Sequence, residues 1–354
     1  MDLNDLGWGP ELEKTYNQLG LDGAEGISVG RISFFDGTHY TIITESGDVR
    51  GRSSSKVLGE GAPAVGDWVV VKLSETGNII IKVLPRSSCI SRKVPGKEVQ
   101  EQVIAANVDL LFIVMGADSD FNLRRLERYL AMAFASGSRP VVLLNKIDSI
   151  EDLEEKLELI NNIADDVPVH PISALKGEGL EVLDKYLDTG ITAALVGSSG
   201  VGKSTLINRL LREERQKTGD VRKIGGKGRH VTTSRELIVL PKGGILIDNP
   251  GLRELQLWGD ENMLEEAFKD ISDLSKGCRF RDCQHLSEPD CEVKRAVEDG
   301  TLDRSRYENY LKMRKELHHL SVKMDKGAQA QERARWRGLL KDVKHYYRYK
   351  REGK

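Results

Sequence analysis

The chemistry-bearing stretch of this chain is a glycine-punctuated turn between an apolar run and a helix-compatible segment. Ile191 to Val196 reads as a short buried strand and breaks at Gly197-Ser198-Ser199-Gly200-Val201-Gly202-Lys203-Ser204-Thr205, which fits G-x-x-x-x-G-K-[ST] at every fixed position. Lys203 to Leu211 follows at once with helical spacing. Glycines let a backbone wrap closely round phosphate oxygens, and N–H groups at a helix N-terminus point at bound anions. Lys203 is placed to reach β- and γ-phosphates, and the Ser204 hydroxyl to ligate Mg²⁺.

Two further motifs address the base. Pro140 to Leu144 is a buried-strand run that delivers Asn145-Lys146-Ile147-Asp148, and Val167 to Ile172 delivers Ser173-Ala174-Leu175-Lys176. A carboxylate at Asp148 can accept from both N1–H and the exocyclic amine of guanine, whereas adenine presents the opposite polarity. Asn145 is expected to hydrogen-bond the base edge or brace the phosphate loop. The Lys146 stem is expected over the ring, and Ser173-Ala174 offers a backbone N–H to the guanine O6. Beyond the P-loop helix, a basic, glycine-rich stretch (212–229) leads to His230-Val231-Thr232-Thr233, where a threonine could meet Mg²⁺ and sense a γ-phosphate. Residues 235–240 and 244–247 read as a hairpin ending in Asp248-Asn249-Pro250-Gly251. In that D-x-x-G, Asp248 would hold Mg²⁺ through water and the Gly251 N–H would meet the γ-phosphate.

A third cluster is metal-like. Cys278, Cys283, His285 and Cys291 fall within 14 residues with the spacing C-x₄-C-x-H-x₅-C. Three thiolates and an imidazole can close a tetrahedral Zn²⁺ site with no open position, which predicts a structural ion. Cys89 lies far from the cluster and is expected to be an idle or core residue.

The elements that must position these groups divide the chain. Residues 1–26 are polar, with a short helix near Glu11 to Leu19. Residues 27–90 hold short strand candidates (27–32, 40–44, 68–73, 79–83) separated by Gly, Asp and Ser clusters, as in a small β-barrel. An OB-fold is one such barrel; periodicity does not separate it from an SH3-like one. Residues 91–104 read as a linker. Residues 105–257 alternate buried strands and helices, as in a parallel α/β sheet. Residues 258–325 carry the cysteine cluster and helical patterns at 293–298 and 305–320. The remainder, 326–354, holds ten Lys or Arg against three Asp or Glu, interleaved with Trp336, Tyr346, Tyr347 and Tyr349. Cations with rings suit nucleic acid, and equally a solvated helical face.

The motifs also stand in an unusual order: N-K-x-D and S-A-x-K precede the P-loop, and D-x-x-G comes last. Because the nucleotide pocket is made of loops at one edge of a sheet, the chain can be cut and rejoined elsewhere without moving them, so a circularly permuted GTPase core is expected. The chain has 354 residues, 31% charged and 39% hydrophobic, with a formal net charge of −2, values of a globular protein of two or three domains. No apolar run approaches a membrane span, no signal pattern opens the chain, and clustered cysteines argue for a reducing compartment, so a cytoplasmic protein without a membrane partner is expected.

The permuted order, together with G-R-H-V-T-T (228–233), D-N-P-G-L-R-E (248–254) and the cysteine spacing, resembles the RsgA (YjeQ) family of bacterial GTPases acting in small ribosomal subunit maturation. The resemblance covers roughly residues 27 to 325. It implies an N-terminal OB-fold barrel, a permuted P-loop GTPase core and a mostly α-helical zinc-binding domain, with the flanking domains on rRNA of the small ribosomal subunit. It also implies GTP or GDP bound at Asn145, Lys146, Asp148 and Gly197 to Thr205, with magnesium and one zinc per chain as cofactors, and a monomer is expected. Leu252 occupies the position where Ras-like enzymes carry the glutamine that orients the attacking water. Slow intrinsic hydrolysis, with His230 as the candidate catalytic residue, is therefore expected. A free-standing signalling GTPase, or an RNA-binding module with a vestigial nucleotide site, are the other readings.

Overall fold

The computed structural model describes residues 2–21, 23–93, 101–211, 235–248, 257–259 and 261–324. The chain divides into two compact units. The first comprises 1–92, 102–256 and 266–268; the second is built from 257–265 and from 269 onward, with 93–101.

The first unit opens with a 3₁₀ turn (Leu3–Leu6) and helix α1 (Pro10–Asn17), started by proline at its first position. Strands β1 (Ile27–Phe35), β2 (Tyr40–Thr44) and β3 (Gly47–Ser53) form an antiparallel meander, α2 (Ser55–Glu60) crosses, and β4 (Trp68–Lys72) and β5 (Asn78–Val83) complete the set. The spatial order is β1-β2-β3-β5-β4, with β4 returning to β1 from Ile27↔Lys72 to Arg31↔Trp68. The β3–β5 pairing is parallel and the others are antiparallel. A closed five-stranded barrel of this order is the OB-fold. The sequence alone did not show β3, because G-D-V-R-G-R-S has one apolar residue and no alternation. It is held as a strand by partners on both sides, β2 and β5.

Overlapping both ends of the expected linker (91–104), Cys89–Lys93 (β6) and Glu101–Ala106 (β7) pair as a two-stranded sheet. Burial of Ile90 and Ile104 gives these polar-looking segments an apolar reason to order.

The nucleotide core follows: β8 (Leu110–Gly116), α3 (Leu123–Ser136), β9 (Arg139–Asn145), α4 (Leu153–Asn161), β10 (Val169–Ile172), β11 (Thr192–Val196), α5 (Lys203–Leu211), β12 (Glu236–Val239) and β13 (Ile245–Asp248). The order is β10-β9-β8-β11-β13-β12, parallel throughout except for the β12–β13 hairpin. The P-loop strand β11 therefore lies centrally although three strands and two helices of the core precede it in sequence, which is the permutation in three dimensions. From β11 the sheet runs outward both ways, so its C-terminal end is a topological switch point, where open α/β sheets bind ligands. Side chains from β8, β9, β11 and α5 share one core: Phe112, Val114, Leu143, Leu195, Leu206 and Ile207.

Barrel and core are one sheet, joined where β1 meets β12 at Phe34↔Glu236. A buried arginine strengthens the junction. Arg31 donates to the carbonyls of Leu6 (2.5 Å), Gly66 (3.1 Å) and Asn107 (2.8 Å) and to Thr192 Oγ1 (2.8 Å) at the start of β11. Burial pulls its pKa down to about 10, with Asp109 and Asp67 opposing.

The second unit contains α6 (Met263–Ala267, its last residues shared with the first unit), α7 (Lys269–Ser275), α8 (Glu292–Glu298) and α9 (Arg304–Met324). Ile271, Val293, Met313 and Leu317 are buried in it, and Arg306 pairs with both oxygens of Asp270 at 2.7 Å. Among the described residues, no helix is long and apolar enough to cross a membrane.

Candidate nucleotide site and metal cluster

The phosphate loop requires its glycines. Gly197 (φ +148°) passes so close to β8 that a Cβ there would lie 2.2 Å from the Val114 carbonyl oxygen, and a Cβ on Gly202 (φ +104°) would lie 2.3 Å from Asn145 Nδ2. Neither position admits a side chain. Lys203 opens α5 and its ammonium rests on the carbonyls of Gly197 (2.7 Å) and Ser198 (2.6 Å), across the mouth of the loop. The Ser198 hydroxyl is buried with no hydrogen-bond partner among the described residues. An orphaned donor inside a glycine cradle at a helix N-terminus fits a phosphate group. Ser204 and Thr205 are partly buried in the first turn of α5; Ser199 and Gly200 form the exposed outer rim, and Val201 is buried.

Asn145 ties this loop to the base-side loops. Its side chain is 2% exposed. Nδ2 donates to the Val201 carbonyl at 2.7 Å, and Oδ1 accepts the Ala174 N–H at 2.9 Å. Of the two roles the sequence allowed it, bracing the phosphate loop is the one this geometry displays. The Ala174 amide, expected to face a guanine O6, is engaged by Asn145, and the Ser173 amide donates to the Glu178 carbonyl at 3.0 Å. The loop closes on itself because buried amides must be paired.

Ile147 and Asp148 lie in a 3₁₀ turn, Ile147–Ser149. Asp148 is partly buried, and one carboxylate oxygen accepts the Ser173 hydroxyl at 2.6 Å, a bond that holds its pKa below the usual carboxylate value. Ser173 is buried and also receives the Lys176 N–H at 3.1 Å, so it is fixed. The carboxylate is thereby ionised and oriented with lone pairs left over, as a receptor for two parallel donors must be. Lys146 has a left-handed backbone (φ +68°), and its ammonium meets Asp118 Oδ2 at 2.9 Å.

Asp248 ends β13 on the same edge of the sheet as the P-loop and is partly buried. His230, Thr232, Thr233 and Gly251 lie outside the described residues. Two contributors carry no motif and were not legible beforehand. Asp118 follows β8, and Arg209, on α5, donates to the carbonyls of Ala174 (3.2 Å) and Leu175 (2.5 Å) and so ties the P-loop helix to the base-side loop. Only the folded sheet brings Asp118 to Lys146 and Arg209 to the base-side loop.

In the second unit, the ligand atoms of Cys278, Cys283, His285 and Cys291 all lie within 4.8 Å of one another. Cys278 Sγ is 3.8 Å from Cys291 Sγ and 3.6 Å from His285 Nδ1, and Cys291 Sγ is 3.5 Å from His285 Nδ1. Tetrahedral bonds of zinc to sulfur and nitrogen produce S···S and S···N edges of about 3.8 and 3.6 Å. The cluster is compatible with a structural zinc. Burial pushes the Cys291 thiol up to about 11 and the His285 imidazole down. The imidazole is thus neutral and ready to ligate, while the thiol needs the metal's charge to ionise. His285 (φ +59°) and Asp290 (φ +55°) make the two tight turns, and Tyr307 on α9 donates to the His285 carbonyl at 2.5 Å.

Comparison with known proteins agrees with this architecture. Residues 83–258 match the family model described as RsgA GTPase. The small ribosomal subunit biogenesis GTPase RsgA of Methanosarcina acetivorans is 45% identical over 350 residues, covering 98% of this chain and 94% of its own length. Its counterpart in Opitutus terrae is 41% identical over 355 residues, covering 96% of each. YjeQ from Thermotoga maritima superposes with a TM-score of 0.63 at 30% identity, over 82% of this chain and 98% of that one. YloQ, described as a circularly permuted GTPase, superposes with a TM-score of 0.61 at 25% identity, over 84% and 97%. With the permuted sheet, the phosphate cradle and 41% to 45% identity over nearly the whole chain in agreement, this chain belongs to the RsgA family of GTPases, enzymes that hydrolyse GTP with magnesium.

Proposed function

We propose that the protein is a ribosome-associated GTPase that binds the small ribosomal subunit and its rRNA and assists late maturation, hydrolysing GTP slowly alone and faster on the subunit. The observation that carries the guanine-nucleotide part is the Asn145 bridge, which makes the phosphate loop and the base-side loop one rigid receptor. Its relatives' names supply the subunit.

In this reading Asp148 accepts the guanine N1–H and exocyclic amine, and the Lys146 stem covers the ring. Ala174 shares its N–H between Asn145 and the guanine O6. Gly197 to Thr205 wrap the phosphates, with Lys203 leaving the two loop carbonyls for phosphate oxygens. Ser204, Asp248 and one of Thr232 and Thr233 would hold magnesium, which when bound would supply positive charge at the phosphates. Gly251 meets the γ-phosphate. Leu252 offers no group to orient water, so His230 or the subunit supplies that function. The Cys278, Cys283, His285 and Cys291 zinc stiffens the second unit and does no chemistry.

Two surfaces favour RNA. On the barrel, Phe35 (38% exposed) stacks on Tyr40 at 4.3 Å, and β3 carries Arg50 and Arg52, both of which contact His39. On the zinc module, Phe280 (41% exposed) stands between Arg279 and Arg281. Exposed rings among guanidinium groups provide stacking and phosphate contacts. A monomeric, cytoplasmic protein is part of the same proposal. The test is GTP turnover with and without purified small subunits at fixed salt, in the native protein and in His230→Ala. Subunit-stimulated turnover, lost in His230→Ala with GTP affinity retained, is expected. Equal turnover with and without subunits would remove the ribosome from the cycle.

A further inference from the structure

The loop joining β8 to α3 (116–122, G-A-D-S-D-F-N) belongs to none of the nucleotide motifs, yet its hydrogen bonds converge on one of them. Asp118 Oδ2 accepts Lys146 Nζ at 2.9 Å while Oδ1 accepts the Asp120 N–H at 3.1 Å. The carboxylate folds back over Gly116, where a Cβ would lie 2.5 Å from Asp118 Oδ1. Asp120 is itself anchored: Oδ2 accepts the Gly116 N–H at 3.3 Å, and Oδ1 pairs with Arg125 at 2.6 Å. Arg125 sits in the first turn of α3, whose N-cap Asn122 accepts the Arg125 N–H at 2.9 Å. A chain of fixed groups thus runs from α3 to the Lys146 ammonium, and the bond from Lys146 is the largest influence holding Asp118 ionised.

We propose that Asp118 is a positioning residue for the guanine site: it fixes the Lys146 ammonium so that the lysine stem is laid across the base position before nucleotide arrives. This rests on the reading of Asn145 to Asp148 as the base site. A lysine side chain loses more rotamer freedom on ordering than almost any other, and pre-ordering moves that loss from binding into folding. Asp118 and Lys146 are each 32% exposed, so the effect is that of a partly screened pair.

The test is release of a fluorescent GDP analogue from the full-length protein, followed by stopped flow. Asp118→Ala is expected to release GDP about three- to five-fold faster at low salt, as loss of a partly exposed ion pair implies. Asp118→Asn, which keeps an oxygen for the Asp120 N–H, is expected to fall between. Lys146→Met retains the stem without the ammonium, and in that background Asp118→Ala is expected to change nothing. At about 1 M salt, where screening reaches about 3 Å, native and Asp118→Ala rates should converge. The same acceleration in both backgrounds would mean that Asp118 only stiffens its loop, and no acceleration in either would remove it from the site. Asp148→Asn is the control for the underlying reading. If it leaves guanine binding intact, the base site itself is misassigned. If it weakens guanine in favour of xanthine nucleotides while Asp118→Ala is silent, the Asp118 assignment alone falls.

Discussion

Asn145→Asp separates the two halves of the nucleotide receptor with an almost isosteric change. The native amide donates to the Val201 carbonyl at 2.7 Å and accepts from the Ala174 N–H at 2.9 Å. A carboxylate keeps the second bond and turns the first into two oxygens facing each other, in a site where Asn145 is 2% exposed and Val201 is buried. Leaving a buried acceptor without its donor costs about 1–3 kcal/mol, with the added charge favouring the upper end. If the cost falls on the closed phosphate loop, nucleotide affinity should drop about 5- to 150-fold. Acid should partly rescue it. The variant carboxyl beside a carbonyl has a raised pKa in the closed loop, and its protonated form regains a donor. The closed state is therefore favoured below the ordinary aspartate pKa and lost as pH rises through the raised one. Titration with a fluorescent GDP analogue across pH, with melting temperatures in parallel, reads both quantities. Affinity within two-fold of the native protein at neutral pH, with unchanged melting, would refute the claim that this bridge shapes the phosphate loop.

The zinc cluster should hold about one ion per chain, detectable by metal analysis of folded protein. Cys283→Ser should lower the melting of the second unit while leaving GDP affinity unchanged, because the nucleotide site lies wholly in the first unit. Arg31→Met keeps the stem but strips hydrogen bonds from three carbonyls and Thr192 Oγ1. It should cost more than about 3 kcal/mol in urea unfolding at constant slope, and a loss under about 1 kcal/mol would show that water replaces the guanidinium readily.

The sequence by itself determined the chemistry that depends on local spacing. A P-loop needs a strand end, glycines and a helix start within a dozen residues, so 197–205 declared itself, and the structure places α5 at Lys203–Leu211 as the periodicity predicts. Four metal ligands within one short segment were legible for the same reason, and so was the permutation, since motif order is a property of the chain. Tertiary structure decided what depends on partners far away in sequence. β3 has no apolar alternation and exists because β2 and β5 flank it. The stretch expected as a linker is entered from its two ends by β6 and β7, whose ordering comes from burying Ile90 and Ile104. The barrel, read as a separate segment, shares a sheet with the GTPase core, sealed by Arg31, an arginine that sequence statistics place on the surface. Asp118 and Arg209 look like ordinary charged residues until folding sets one against Lys146 and the other under the Ala174 and Leu175 carbonyls. Motifs record chiefly the groups that touch ligand, with Asn145 the exception that braces the phosphate loop from inside its motif. The groups that hold the motifs in place answer only to distance in space, which one-dimensional spacing does not encode.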